Sequence, residues 1–183
     1  MTGTRGPAPF LPVPLHPTAV KLNMATLPQL NEDDIRTLDD TLREFLAQTD
    51  ATVALAIDKG GFLLTHQGDA GELDLTTIGA LAAGAFMASQ TLAGLVNDKD
   101  FNHTFQQGET TSLFTVGVDE HCLLVVVFPS PIGVGVVKYY SANAVRGLAR
   151  QLAAARERDP VGGLDLSEIN VAATEAVFRK KTA

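Results

Sequence analysis

One hundred and eighty-three residues, 45% hydrophobic and 19% charged, describe a folded chain of one ordinary domain with tails, not a disordered chain or a two-domain enzyme. Fourteen Lys and Arg against 21 Asp and Glu give a net charge of -7, which repels phosphate backbones and argues against general nucleic-acid binding. The single cysteine, Cys122, cannot close an intramolecular disulfide; it lies in an apolar run, where a buried thiol in a reducing compartment is expected.

Residues 1–28 hold six of the nine prolines, spaced so that neither a helix nor a central strand persists, and read as a flexible or polyproline-like arm. Prolines and polar residues interrupt each short apolar stretch there, so no secretory h-region is expected and the chain reads as cytoplasmic. A first amphipathic helix is expected from Asn31, a good N-cap followed by Glu32, Asp33 and Asp34, to about Gln48; Ile35, Leu38, Leu42, Phe45 and Leu46 mark its core stripe. Two β-rich runs, 52–58 and 62–66, flank Lys59-Gly60-Gly61 and predict a hairpin. Behind Asp74, an acceptable cap, an Ala-rich helix runs to about Asn97.

After a link containing Phe101, His103 and Phe105, the β-rich runs 110–118, 122–128 and 133–140 predict a three-strand meander, turning at Asp119-Glu120 and at Pro129-Ser130-Pro131. Gly133 and Gly135, around Val134-Gly135-Val136-Val137, then mark close packing or a bulge in the last strand. Ser141 is the expected cap of a third helix carrying Val145, Leu148 and Leu152 on one side. Asp159-Pro160-Val161-Gly162-Gly163 breaks that helix, and residues 164–181 read as a short tethered helix with an apolar edge of Leu166, Ile169, Ala173, Ala176 and Val177. So short a helix is marginal in water unless it folds back on its own domain or binds a partner. The expected domains are thus an arm over 1–28, a globular domain over 29–158 and a tail over 159–183.

The middle helix carries the main functional signal. Residues 75–97 hold no charged side chain, long enough to span a membrane, but fifteen of these 23 residues are Ala, Gly, Thr, Ser, Gln or Asn, and Asp74 and Asp98 at the flanks are not basic anchors. On a helical wheel Ile78, Leu81, Ala85, Ala88, Leu92, Leu95 and Val96 share an arc expected to cover the sheet. The opposite arc holds Ala80, Ala83, Met87, Gln90, Thr91 and Gly94, with Phe86 and Gly84 at its margins, and again no ionic group. A helix without a solvated face is buried on both sides, so this arc is expected to make a helix-to-helix contact between subunits, with Phe86 and Met87 as apolar anchors.

Catalytic chemistry is not legible. No Gly-x-x-x-x-Gly-Lys-Ser/Thr phosphate loop and no Gly-x-Ser-x-Gly elbow occurs, and His16, His66, His103 and His121 lack partners at metal-ligand spacing, so neither cofactor nor metal is expected. No arginine lies between Glu44 and Val145, so an arginine finger is excluded from the whole segment around the middle helix.

The order of elements, opened by Val53-Ala54-Leu55-Ala56-Ile57-Asp58-Lys59-Gly60-Gly61, resembles the roadblock and dynein light chain family. The Asp58-to-Gly61 turn, the Ala/Gly-rich helix from Leu75, the apolar strand from Leu123 to Phe128 and the tail Leu164-Asp165-Leu166-Ser167-Glu168-Ile169 carry the match. The resemblance implies an α+β fold with a five-stranded antiparallel sheet in order 2-1-5-4-3, one helix on one face and two on the other. It implies a homodimer paired through the middle helix and third strand, and a two-helix platform for a small Ras-like GTPase, two subunits per GTPase. In bacterial members the function so implied is non-enzymatic: GTPase activation and nucleotide exchange in cell polarity, without an arginine finger. The tail residues Leu166, Ile169, Val177 and Phe178 are the implied partner contact. The alternatives are a scaffold that binds a GTPase or kinase complex without changing its rate, and an enzyme or small-molecule sensor on a profilin-like sheet.

Overall fold

Asn31 starts the first helix by exchange: its side chain accepts the Asp34 N–H at 2.9 Å, and the Asp34 carboxylate accepts the Asn31 N–H at 2.8 Å. In the computed structural model, which describes residues 29–98 and 101–158, this helix is α1, Glu32–Thr49. The expected arm and tail, residues 1–28 and 159–183, lie outside these described residues. The chain continues through β1 (Val53–Asp58), β2 (Leu63–Gly68), α2 (Leu75–Leu95), β3 (His103–Gln107), β4 (Thr111–Gly117), β5 (Cys122–Pro129) and α3 (Val134–Glu157). All strand pairs are antiparallel, in the order β2-β1-β5-β4-β3.

Alternation of side chains along β5 divides the core in two. Leu124, Val126 and Phe128 meet Leu38, Leu42 and Phe45 of α1 and Val137, Leu148 and Leu152 of α3. Leu123, Val125 and Val127 face the other way, onto Leu75, Ala82, Ala83 and Phe86 of α2. At the β1–β2 turn Gly61 has φ +90, and an added Cβ would lie 2.6 Å from the Ala80 Cα, so glycine there lets the hairpin lie against α2.

One expected strand is corrected. Residues 133–140 are not a strand but the entry and first turns of α3, capped by Gly133 without a side-chain bond. Ser141 is no cap; it is buried within the helix and its hydroxyl donates to the Lys138 carbonyl at 2.8 Å. No close packing surrounds Gly133 or Gly135, where an added Cβ would meet nothing within 4 Å. The valines of 134–137 suggest β structure, but tertiary packing of Val137 under the sheet overrides that preference. The fifth strand is instead His103–Gln107, inside the expected link, a polar run because this edge strand pairs only with β4.

A buried carboxylate closes the α1–α3 layer. Asp34 is fully buried; besides the Asn31 N–H it accepts from Gln151 Nε2 at 2.6 Å and from the Arg158 guanidinium at the end of α3. Burial pushes this carboxyl up, but the hydrogen bonds from Asn31, Arg158 and Gln151 together outweigh it and leave the group below the ordinary carboxylate range. Its stabilisation is therefore complete above the unfolded value near 3.8 and is lost as pH falls through the lower folded value. Asp34→Ala is expected to cost about 1–3 kcal/mol in urea unfolding at neutral pH. The gap to the unaltered protein should narrow in acid, and a gap constant down to pH 2 would contradict this account.

Candidate interaction surface

The packing of α2 follows its smallest residues. Gly79, Ala82, Ala83 and Ala93 lie buried with Leu75 and Phe86, and an added Cβ at Gly79 would sit 3.3 Å from both the Gly61 carbonyl and Ile57 Cγ2. Close approach to the sheet thus selects glycine and alanine, and the bulky side chains are left outside. Leu81 is 69% exposed, Leu92 55% and Leu95 75%, and Ala88 and Val96 are exposed with them. These five were expected in the core, with Ile78 and Ala85, which are half-buried. The wheel was phased on residue size, and a helix without ionic groups offers no polar face to correct that phase.

Of the eight residues expected on the outward arc, Ala80, Gly84, Met87, Thr91 and Gly94 are exposed. Ala83 and Phe86 are not: at 2% and 1% exposure they pack beneath the helix against the sheet. Gln90 is half-buried, and its Nε2 donates to the Phe101 carbonyl at 2.8 Å, tying α2 to the approach to β3. The outward surface therefore has two flanks. Ala80, Gly84, Met87, Thr91 and Gly94 form a small-residue stripe that begins where the hairpin turn abuts Ala80. Leu81, Ala88, Leu92 and Leu95 form an apolar flank on the β3 side, where Leu81, Ile78 and Ala85 share a groove of about 590 Å³ with Gln106, Gln107 and Leu113. Residue patterning missed the leucine flank and the strand at 103–107, although the resemblance implied pairing through the middle helix and third strand; the signal for the flank was the run of small residues at helical spacing.

α2 is long and apolar enough to cross a membrane by length and composition alone, with mean hydropathy 1.4, yet its buried stripe is seated on the sheet. The expected tail contacts Leu166, Ile169, Val177 and Phe178 lie outside the described residues.

Chemistry elsewhere is quiet. Burial pushes the Cys122 thiol up to about 12, with the Asp119 charge adding to it, so the group is a core thiol and not a nucleophile. His103, beside Lys138 Nζ at 3.4 Å and against the Phe114 ring, is held below its ordinary value by burial first and the lysine second. Among the described residues no three His, Cys, Asp or Glu side chains are grouped to hold a metal ion.

An antiparallel sheet in this order, with one ion-free helix on one face and two helices on the other, defines the roadblock class of α+β domain. The Roadblock/LC7 domain model matches residues 37–128, and the chain belongs to that family, whose members are regulatory or adaptor proteins and not typical enzymes. Three MglB structures are similar to it. The gliding protein MglB of Thermus thermophilus is 34% identical over 68% of this chain and 95% of its own, with a TM-score of 0.64. An MglB with a tetrameric arrangement is 33% identical over 71% and 97%, at 0.65. Myxococcus xanthus MglB is 25% identical over 69% and 95%, at 0.64. Comparison with curated proteins gives no match.

Proposed function

We propose that this chain is a homodimeric, cytoplasmic and pole-associated regulator of a small Ras-like GTPase of the MglA type, serving bacterial cell polarity and gliding motility. It is not itself an enzyme of known cofactor or metal chemistry; it stimulates the GTPase's own hydrolysis, and the tail serves nucleotide exchange. The observation that carries this reading is the outward face of α2, apolar and without one ionic group over 21 residues. Water is a poor cover for such a face, and a second molecule a good one. Similarity to MglB proteins, one of them tetrameric, supports both self-association and a motility role.

The two flanks divide the work. The leucine flank adjoins the open edge of β3, so a second copy placed there covers both the leucines and an unpaired row of backbone groups. The small-residue stripe is left on top, and the stripes of two subunits together make the platform for one GTPase. Gly84 and Gly94, where an added Cβ would meet nothing within 4 Å, let a partner's backbone come close, and Met87 adapts to its side chains.

Stimulation by a donated cation has no support in the charge layout. All six arginines of the described residues sit on α1, on α3 or at its C-cap, across the sheet from α2. In this reading the platform holds the GTPase's own catalytic groups in an active arrangement, so the contribution is positioning.

Leu81→Glu combined with Leu95→Glu should leave the domain folded and reduce the mass seen by light scattering from two chains to one; a persisting dimer would move the seam elsewhere. Gly84→Arg and Met87→Arg, each in a dimer that still forms, should weaken GTPase binding at least about tenfold, and unaltered binding would remove the platform. In single-turnover GTP hydrolysis the protein should raise the rate, where a scaffold would leave it unchanged. Lys59→Met, at the one described Lys or Arg outside α1, α3 and its C-cap, should keep that stimulation within about threefold, whereas a loss of about 10³ would identify a donated charge.

A further inference from the structure

Across the sheet from α2, between the C-terminal half of α1 and the middle of α3, lies a groove of about 620 Å³ lined by Thr41, Glu44, Phe45, Tyr140, Arg146 and Arg150, among others. Its floor is a close approach, since an added Cβ at Gly147 would sit 2.9 Å from Thr41 Cγ2. Its charges are unusual for this domain. Four of the six described arginines make ion pairs: Arg36 with Asp33, Arg43 with Asp39 and Asp40, Arg156 with Asp119, and Arg158 with Asp34. The remaining two are those of the groove: Arg146 bonds only the Asn143 side chain, and Arg150 has no bonded partner among the described residues. Glu44 is the one acidic group lining the cleft, so an excess of one positive charge remains there in a chain whose net charge is -7.

We propose that the chain's own tail, residues 164–178, docks in this α1–α3 groove, with Asp165 and Glu168 against Arg150 and Arg146 and the apolar edge of Leu166 and Ile169 over the half-buried Tyr140. Reach, order and charge select this occupant. The bond from Arg158 to Asp34 sets the point of departure at the start of α1. From there Thr41 is about 10 Å and Glu44 about 15 Å along the helix axis. Residues 159–163 extend to about 17 Å, so residue 164 can reach the groove with a few Å to spare. A tail helix then runs antiparallel to α3 and meets Arg150 before Arg146. Asp165 and Glu168 are three residues apart, a rise of about 4.5 Å, against about 6 Å between the two arginines. The arm over 1–28 leaves from the same end of α1 but carries Arg5 and Lys21 and no acidic residue, so it does not suit a groove with excess positive charge. Tethering places the tail at a millimolar effective concentration, which makes a weak contact sufficient.

Hydrogen exchange on the full-length chain tests this. Amides within 166–178 should exchange about three- to tenfold more slowly than in the variant Arg146→Glu with Arg150→Glu, the range expected for two exposed ion pairs. The variant Asp165→Lys with Glu168→Lys should lose the same protection, and combining all four reversals should restore it, while β5 amides stay unchanged throughout. Tail amides at unprotected rates in the unaltered protein would overturn the proposal, as would protection indifferent to the arginine reversal. Protection that disappears on dilution would assign the groove to a second copy's tail, and protection seen only with a GTPase present would assign the tail to the partner; either result overturns docking within one chain.

Discussion

The central strands β1 and β5 are apolar on both faces, and that requirement governs the rest of the molecule. Each residue from Cys122 to Phe128 is buried, as is each from Val53 to Ile57, so neither strand tolerates water on either side. A sheet of this kind needs a layer above and a layer below. The paired helices α1 and α3 supply one, held by Leu38, Leu42, Phe45, Leu148 and Leu152 and joined at their ends through Asp34. A single helix, α2, has to supply the other. It does so by lying close, on Gly79, Ala82 and Ala83, and that closeness is what turns its leucines outward.

Much of this was legible in the sequence where local chemistry and periodicity agree. The Asn31 cap, the hairpin at Gly60-Gly61 and the helix behind Asp74 follow from residues whose local preference matches their place in the fold. Legibility failed where tertiary packing overrode propensity. Val134, Val136 and Val137 favour a strand in isolation yet open a helix, and His103–Gln107 has the polar pattern of a link yet forms a strand because an edge makes fewer demands. On the candidate surface the absence of charge around α2 was readable, and so was the need for a second layer of cover. The phase of the helix was not, because size was the sole guide and the sheet contact selects small residues. Ala83 and Phe86 were lost from the outward face for that reason, and Leu81, Leu92 and Leu95 were gained.

Charge is sorted between the two layers. Seven of the eight described Lys and Arg residues belong to α1, α3 or its C-cap, and Lys59 alone lies elsewhere. Outside α1, α3 and its C-cap the described residues set nine Asp and Glu against Lys59, so the uncharged face of α2 offers a partner shape and apolar contact within an acidic surround. The uncharged face itself holds a partner by fit and by how long the complex lasts, while the acidic surround acts on the rate of encounter. In the proposed role such a face can distinguish two conformations of one partner, because small residues on a rigid helix reward a surface that matches and penalise one that does not.

The proposed platform and the proposed tail dock lie on opposite layers. A partner seated on α2 lies across the sheet from the α1–α3 groove and does not collide with a tail held there by the same chain. A partner that engages both the platform and the tail has first to draw the tail out of the groove. The free energy of that docking is then subtracted from the second attachment and leaves the first unchanged. Weakening the groove would therefore tighten the two-point complex without altering the platform contact, and a partner that captures the tail would by the same coupling empty the groove. A modest ion-pair contact is well suited to this role: strong enough to bias a tethered segment, too weak to prevent its release.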